Sequence, residues 1–270
     1  MTDKTHANAN AGHPASLTVI GHWGAYPGPG EATSCYLLRA EGSAVLMDCG
    51  SGALALLQRI LPLHEIDAVI LSHYHSDHVA DLGCLQYAAR IDMDLGRRKK
   101  PLAVYGHKES AGFHKLSYLE YAKGEGYDAS CKIEIGPFSF EFAPMVHPDP
   151  SYAIGVRLPG HSTVDSKALV YSGDTGASET LVEFSRGAQI LLCETSLYDA
   201  YRGKIFGHMS AGEVGETAKR AGISTLVATH LPHFGVHADL LSQATQAFGG
   251  DARLASTYMT LGLGSFQWMS

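Results

Sequence analysis

Apolar residues along the chain fall into short runs that alternate with polar turns. Leu17–Gly21, Cys35–Leu38, Ala44–Met47, Ala68–Leu71 and Leu102–Tyr105 read as strands, set apart by turn chemistry such as Gly24–Gly30 and Glu41–Ser43. Ala68–Leu71 is continuously apolar, the mark of a strand buried on both faces. Ala53–Ile60 has helical spacing, and Asp77–Arg90 puts Val79, Leu82, Leu85 and Ala89 on one helical stripe. The stretch His107–Lys123 is expected to carry a helix. Strands follow at Lys132–Ile135, Phe138–Phe142, Tyr152–Leu158, Ala168–Tyr171, Ile190–Cys193 and Thr225–Ala228. Helices are expected at Glu179–Ser185, Ala211–Ala221 and Ala238–Phe248, and final strands at Arg253–Ser256 and Gly264–Gln267. Residues 1–15 are small and polar without periodicity and read as a mobile tail. No linker divides residues 16–270. In each half strands come first and strand–helix alternation follows, so two sheets with helices outside them would bury these faces.

Composition narrows the class. Of 270 residues, 45% are hydrophobic and 17% charged, which excludes a disordered chain. No run reaches the ~18–20 apolar residues of a membrane helix, and the first residues have no apolar stretch, so no secretory leader is expected. With 20 Lys+Arg against 27 Asp+Glu, the net charge of −7 disfavours tight non-specific binding to a phosphate backbone. Five widely spaced cysteines make no disulfide framework, and a reducing cytoplasm is the expected compartment. Histidine is the exception, with 15 residues, so their placement matters.

The sharpest signal is Ser72-His73-Tyr74-His75-Ser76-Asp77-His78, directly after a strand. Residues i and i+2 of an extended segment point the same way, so His73 and His75 can share a metal. Asp77 and His78 add a carboxylate and an imidazole where the chain turns into a helix. Four ligand-type side chains so close together exceed one open tetrahedral site and point to two adjacent ions. Further candidates follow strand ends: His147, Asp174 and His230. An aspartate between two ions can bridge them, one oxygen to each.

The ordered set His73-x-His75-x-Asp77-His78, His147, Ser172-Gly-Asp174-Thr and Thr229-His230 resembles the ligand signature of the metallo-β-lactamase fold, and Asp48–Gly52 resembles that family's first motif. The resemblance runs from about Ser16 to at least His230. It implies an α/β, four-layer αβ/βα sandwich with two mixed sheets and outer helices. It also implies two divalent ions; affinity favours Zn²⁺, with Mn²⁺ or Fe as the alternatives that availability would decide. His73, His75 and His147 would hold the first ion, Asp77, His78 and His230 the second, with Asp174 bridging. No cysteine stands at a ligand position.

A finer resemblance is to the ribonuclease Z-like, phosphodiesterase branch. Leu192-Cys-Glu194-Thr-Ser is similar to that branch's His-Glu-Ala-Thr segment, and Gly207-His208-Met-Ser-Ala211 to its Gly-His-Ser-Thr-Ala segment. It implies catalytic roles for Asp77, for His208 in stabilising phosphate charge or protonating the leaving oxygen, and for Glu194 in orienting His208. Ser210 is read as the cap of the helix from Ala211. The long Gly/Pro-rich arm that ribonuclease Z uses on tRNA has no room between Asp174 and Glu194, and Leu-Pro-His-Phe follows His230. The expectation is therefore a dinuclear phosphodiesterase that uses a metal-bridging hydroxide on a small or nucleotide-type phosphodiester. No stable nucleic-acid complex and no membrane are expected, and a homodimer is open. The alternatives are a lactone or thioester hydrolase of the same fold, a ribonuclease Z-like RNA 3′-processing nuclease, and a metal-binding protein without turnover.

Other residues carry weaker signals. Trp23 and Tyr26 in the Gly/Pro-rich loop, and His233 behind His230, are candidates for the cleft rim or wall. Tyr74 and Ser76 are expected to face away from the metal pair. His22, His64, His107, His114, His161 and His237 are read as ordinary surface or hydrogen-bonded residues. Arg97–Lys100 reads as a solvated turn. Cys35, Cys49 and Cys193 look buried, and Cys84 is expected to pack.

Overall fold

The apolar runs split by alternation into three cores. In the computed structural model, which describes residues 14–159 and 166–264, β1 (Ser16–Gly21), β2 (Cys35–Ala40), β3 (Ser43–Met47), β4 (Ala68–Ile70), β5 (Leu102–His107) and β6 (Ala122–Tyr127) form one sheet with the late strand Thr260–Gly262 beside β1. A second sheet contains β7 (Lys132–Ile135), β8 (Phe138–Pro144), β9 (Tyr152–Arg157), β10 (Leu169–Tyr171), β11 (Ile190–Glu194), β12 (Thr225–Thr229) and β13 (Asp251–Leu254); Thr260–Gly262 is β14. Among the described residues each sheet has seven strands, antiparallel on one side and parallel on the other.

Tyr36, Leu38, Val45, Met47, Ile70, Phe140, Ile154, Tyr171 and Leu192 meet between the sheets. Their neighbours Leu37, Leu46 and Val69 face outward and pack under α1 (Ala53–Leu57) and α3 (Leu82–Asp94), which follows the one-turn α2 (Ser76–Val79). Leu191, Cys193, Leu226 and Ala228 face the other way, under α4 (Glu179–Ser185), α5 (Ala211–Ala221) and α6 (His237–Phe248). The continuously apolar strands are thus buried on both faces, and the layers run helix, sheet, sheet, helix, as expected for the four-layer sandwich.

Local readings change at several places. The helix expected over Asp77–Arg90 is broken in two. The His78 carbonyl accepts Cys49 N–H at 2.8 Å, and Asp81 N–H donates to the Cys49 carbonyl at 3.1 Å. Backbone groups that would continue the helix are thereby spent on the loop after β3. Residues 107–123 hold a short 3₁₀ turn, Ala111–Lys115, rather than a helix, and β6 follows. Its sequence, Ala-Lys-Gly-Glu-Gly-Tyr, has no apolar alternation because it is an edge strand whose ladder partner is β5. His22 and His107 are buried, and His107 is hydrogen-bonded, one of the two states expected for it, its Nδ1 accepting Glu109 N–H at 3.2 Å, whereas Cys84 is exposed. Arg98, read as part of a solvated turn, is buried and donates to the Ile66 carbonyl at 2.6 Å. The expected tail falls almost wholly outside the described residues, as do His161 and most of Gly264–Gln267. No helix among the described residues is long and apolar enough to cross a membrane.

Candidate metal centre

The parallel pair β3 and β4 of one sheet and the parallel strands β10, β11 and β12 of the other end at one place, and the residue or loop that terminates each brings a polar side chain there. Asp48 follows β3 at a positive φ of 59°. The β4 strand stops at Ile70, so His73 and His75 lie on an extended loop rather than on the strand itself. His75 then precedes α2, which carries Asp77 and His78. Asp174 follows β10, Glu194 ends β11, and His230 follows β12.

These side chains gather into two overlapping sets. His73, His75, His147 and Asp174 form one, and Asp77, His78, Asp174 and His230 the other, with donor atoms within 4.8 Å of each other in each set. Asp174 belongs to both, where a bridging carboxylate would stand. A third group, Glu194, His208 and His230, adjoins them.

Nitrogen tautomers are fixed from behind. Asp48 is fully buried, and its Oδ2 accepts from His78 Nδ1–H at 2.7 Å, Tyr171 O–H at 2.7 Å and Ser72 Oγ–H at 2.8 Å. Ser72 Oγ, its proton spent on Asp48, accepts from His73 Nδ1–H at 3.1 Å. His147 Nδ1–H donates to the Asp149 carbonyl at 2.9 Å, and His230 Nδ1–H to Ser196 Oγ at 2.8 Å. In all four rings Nε2 is the nitrogen turned toward the pocket; that of His230 donates to Asp77 Oδ2 at 3.0 Å. His75 is turned over: its Nε2–H donates to Asp149 Oδ2 at 2.6 Å, leaving Nδ1. Such outer partners set ring orientation and ligand basicity in metal sites.

The residues fit a divalent cation. His73 Nε2, His78 Nε2 and Asp174 Oδ1 are buried and lack a hydrogen-bond partner, which is costly unless something else satisfies them. His78 Nε2 comes within 3.3 Å of Asp174 Oδ1, without hydrogen-bond alignment. Burial pushes His73 down. For His78, burial acts the same way, yet the Asp174 and Asp48 carboxylates outweigh it and raise its pKa well above the usual imidazole range. Burial would raise Asp174, but His230, His78 and His73 hold it well below the usual carboxylate range. The carboxylates thus draw positive charge into a buried pocket, and a cation between them would supply it.

Beside these sets, the Glu194 carboxylate is saturated by four donors. Oε1 accepts Thr175 N–H at 3.1 Å and His208 Nδ1–H at 2.9 Å; Oε2 accepts Ser196 N–H at 3.1 Å and Ser196 Oγ–H at 2.7 Å. Burial alone would lower His208, but the hydrogen bond and charge of Glu194 raise it to about 9. The ring is 24% exposed, so it faces both Glu194 and the cleft. Gly207 precedes it at φ 89°, and a Cβ there would lie 2.5 Å from Pro148 Cδ, so only glycine seats His208 beside His147. Ser210 caps α5 with a capping box to Glu213, as the sequence predicts.

The structure therefore brings together every expected site residue: His73, His75, Asp77, His78, His147, Asp174, Glu194, His208 and His230. Tyr74 does turn away, its hydroxyl donating to the His107 carbonyl at 2.5 Å. Sequence reasoning misses Ser72, Asp149 and Ser196 as supports, and assigns Asp48 no contact. For Asp149 the available signal is its place two residues after His147; for Ser196, two residues after Glu194.

Comparison with known proteins agrees with this geometry. Residues 43–231 match the Beta-lactamase superfamily domain. The chain is 38% identical to the probable metallo-hydrolase YhfI of Bacillus subtilis, over 89% of this chain and 97% of that protein. It superposes on the crystal structure of that metallo-beta-lactamase fold protein with a TM-score of 0.87, at 37% identity, over 92% of this chain and 99% of that one. It is 27% identical to ribonuclease Z of Methanosarcina acetivorans over 80% of this chain and 87% of that protein. Human tRNase Z, short form, shares the fold with a TM-score of 0.68 at 22% identity, over 92% and 99% of the two chains. The chain belongs to the beta-lactamase superfamily and has the metallo-beta-lactamase fold, with its cluster of His and Asp side chains where the two sheets meet.

Proposed function

We propose that the chain is a dinuclear-metal-dependent phosphodiesterase acting on a small or nucleotide-type phosphodiester. The observation that carries this reading is the Glu194–His208 pair, at 2.9 Å, beside the two ligand sets. An acyl hydrolase has no comparable need for a protonated imidazole at the leaving group. The likeness to a protein named ribonuclease Z supports the same bond class.

His73, His75 and His147 would hold one ion and Asp77, His78 and His230 the other, with Asp174 between; imidazole and carboxylate donors favour Zn²⁺, with Mn²⁺ or Fe as alternatives. Such ions supply Lewis acidity, an activated water at neutral pH and neutralisation of the anionic diester. His208, with a pKa of about 9, is protonated at neutral pH. Its Nδ1–H is held by Glu194, so the Nε2 proton is the one available to the leaving oxygen or to developing charge. Asp77 Oδ2 accepts Ala25 N–H at 2.8 Å, which pins the loop after β1 over the centre. Between Asp174 and Glu194 the chain has room for α4 and no long arm, in keeping with a small substrate.

The test is a hydrolysis panel run with and without chelator: a bis-aryl phosphodiester, a phosphomonoester, a lactone, a thioester and a cephalosporin. Diester turnover abolished by chelator is expected. Turnover of the lactone without the diester overturns the reading.

A further inference from the structure

We propose that the open face of Tyr26 is a stacking platform for a nucleobase of the substrate; this rests on the phosphodiesterase reading above. Tyr26, His233 and Trp23 form one continuous stack. The Tyr26 and His233 rings lie 3.7 Å apart at 3°, and His233 and Trp23 lie 4.4 Å apart at 11°. Tyr26 is the outermost ring and is 59% exposed. Among the described residues, no ring lies against its other face.

The stack is fixed in place rather than loosely laid on the surface. His233 Nε2–H donates to the Tyr26 carbonyl at 2.6 Å, Tyr26 N–H to the Gly24 carbonyl at 2.7 Å, and Gly24 N–H to the Leu231 carbonyl at 3.1 Å. Trp23 Nε1–H donates to Glu31. An exposed tyrosine held in a three-ring stack presents a flat apolar face without losing freedom when a ligand covers it.

Its position ties it to the chemistry. Ala25 N–H donates to Asp77 Oδ2, so Tyr26 begins one Cα step, about 3.8 Å, beyond a residue that touches the candidate centre. Gly24 packs so closely that a Cβ would lie 2.6 Å from His230 Nδ1. A phosphate at the centre therefore leaves its nucleoside next to this loop. A π-face accepts any base, because stacking reads no hydrogen-bond pattern. The platform would thus favour a nucleotide over a sugar phosphate without selecting among bases.

The experiment is calorimetric titration of the zinc-loaded full chain with adenosine 5′-monophosphate and with ribose 5-phosphate, comparing the natural protein with Tyr26→Ala and Tyr26→Phe. The natural protein is expected to bind the nucleotide more tightly. Tyr26→Ala should weaken the nucleotide by about 5- to 150-fold, the range for loss of one base–aromatic stack, and leave ribose 5-phosphate unchanged; Tyr26→Phe should keep the preference. Equal binding of the two probes by the natural protein, no binding of either, or equal weakening of both by Tyr26→Ala overturns the proposal. Diester turnover without a nucleotide preference removes the platform alone. A Tyr26-dependent preference without diester turnover keeps the platform and removes the hydrolytic reading.

Discussion

Ser196 links the acid–base pair to a candidate metal ligand: its hydroxyl donates to Glu194 Oε2 at 2.7 Å and accepts from His230 Nδ1–H at 2.8 Å. Because a hydroxyl carries one proton, the direction of both bonds is set: Nδ1 of His230 is the donor to Ser196, and its Nε2, 3.0 Å from Asp77 Oδ2, is the nitrogen a bound ion would meet. Ser196→Ala removes that constraint. Metal affinity is expected to fall about 10–100-fold, the usual effect of losing an outer partner of a ligand. Competition against a chelating dye measures it. Unchanged affinity with unchanged activity would show that His230 is held by packing alone.

Asp174→Ala should lose metal from both positions, since its carboxylate belongs to both ligand sets. Metal analysis after dialysis against a defined zinc buffer reads the stoichiometry. Loss of a single ion would place Asp174 in one set only.

Asp48 lies behind His78, accepting from three side chains in a fully buried place. Asp48→Ala leaves His78, Tyr171 and Ser72 without an acceptor. Destabilisation by about 3–5 kcal/mol is expected, as for breaking a buried charged pair. Urea unfolding of the chelator-treated protein checks this without a contribution from bound metal.

His208→Ala should retain both metals and lose roughly 10²–10⁴-fold in kcat, the span of general acid–base help. Parallel loss of metal would make His208 structural or a ligand. Glu194→Gln should bring the His208 pKa down from about 9. In the proposed role the protonated form is the working one, so activity is expected below this pKa and is lost above it. The alkaline limb of the kcat–pH profile should therefore move toward acid in Glu194→Gln, and a limb that stays put assigns it to another group.

The same pair makes stability pH-dependent. The folded pKa of His208, about 9, lies above its ordinary 6.5. Its contribution is therefore fully present below about 6.5 and is lost as pH rises through about 9. Unfolding of the metal-free protein between those limits should show a decline that His208→Ala lacks.

Much of this site is legible in the chain because its candidate ligands sit where strands end. The cluster from His73 to His78 is dense, and Asp174 and His230 each follow an apolar strand directly. What stays hidden depends on contacts distant in sequence. Asp149 looks like one polar residue in a Pro-rich loop; its role exists only because β8 and β9 bring that loop against His75. The broken helix after His75 is hidden for the same reason, since the residues that divert its backbone come from the loop after β3. Strand β6 is invisible to periodicity because an edge strand built on Gly124 and Gly126 owes its form to a neighbour's hydrogen bonds.

The division of the candidate ligands between the two sheets has a mechanical consequence. His73, His75, Asp77 and His78 ride on the first sheet, and His147, Asp174 and His230 on the second. A cation held by both sets would therefore act as a clasp across the seam. Metal affinity then gauges how truly the sheets are aligned. A substitution deep between them, at Phe140 or Ile154, could register as weakened zinc binding while every ligand stays intact, and zinc in turn would resist any sliding of one sheet past the other.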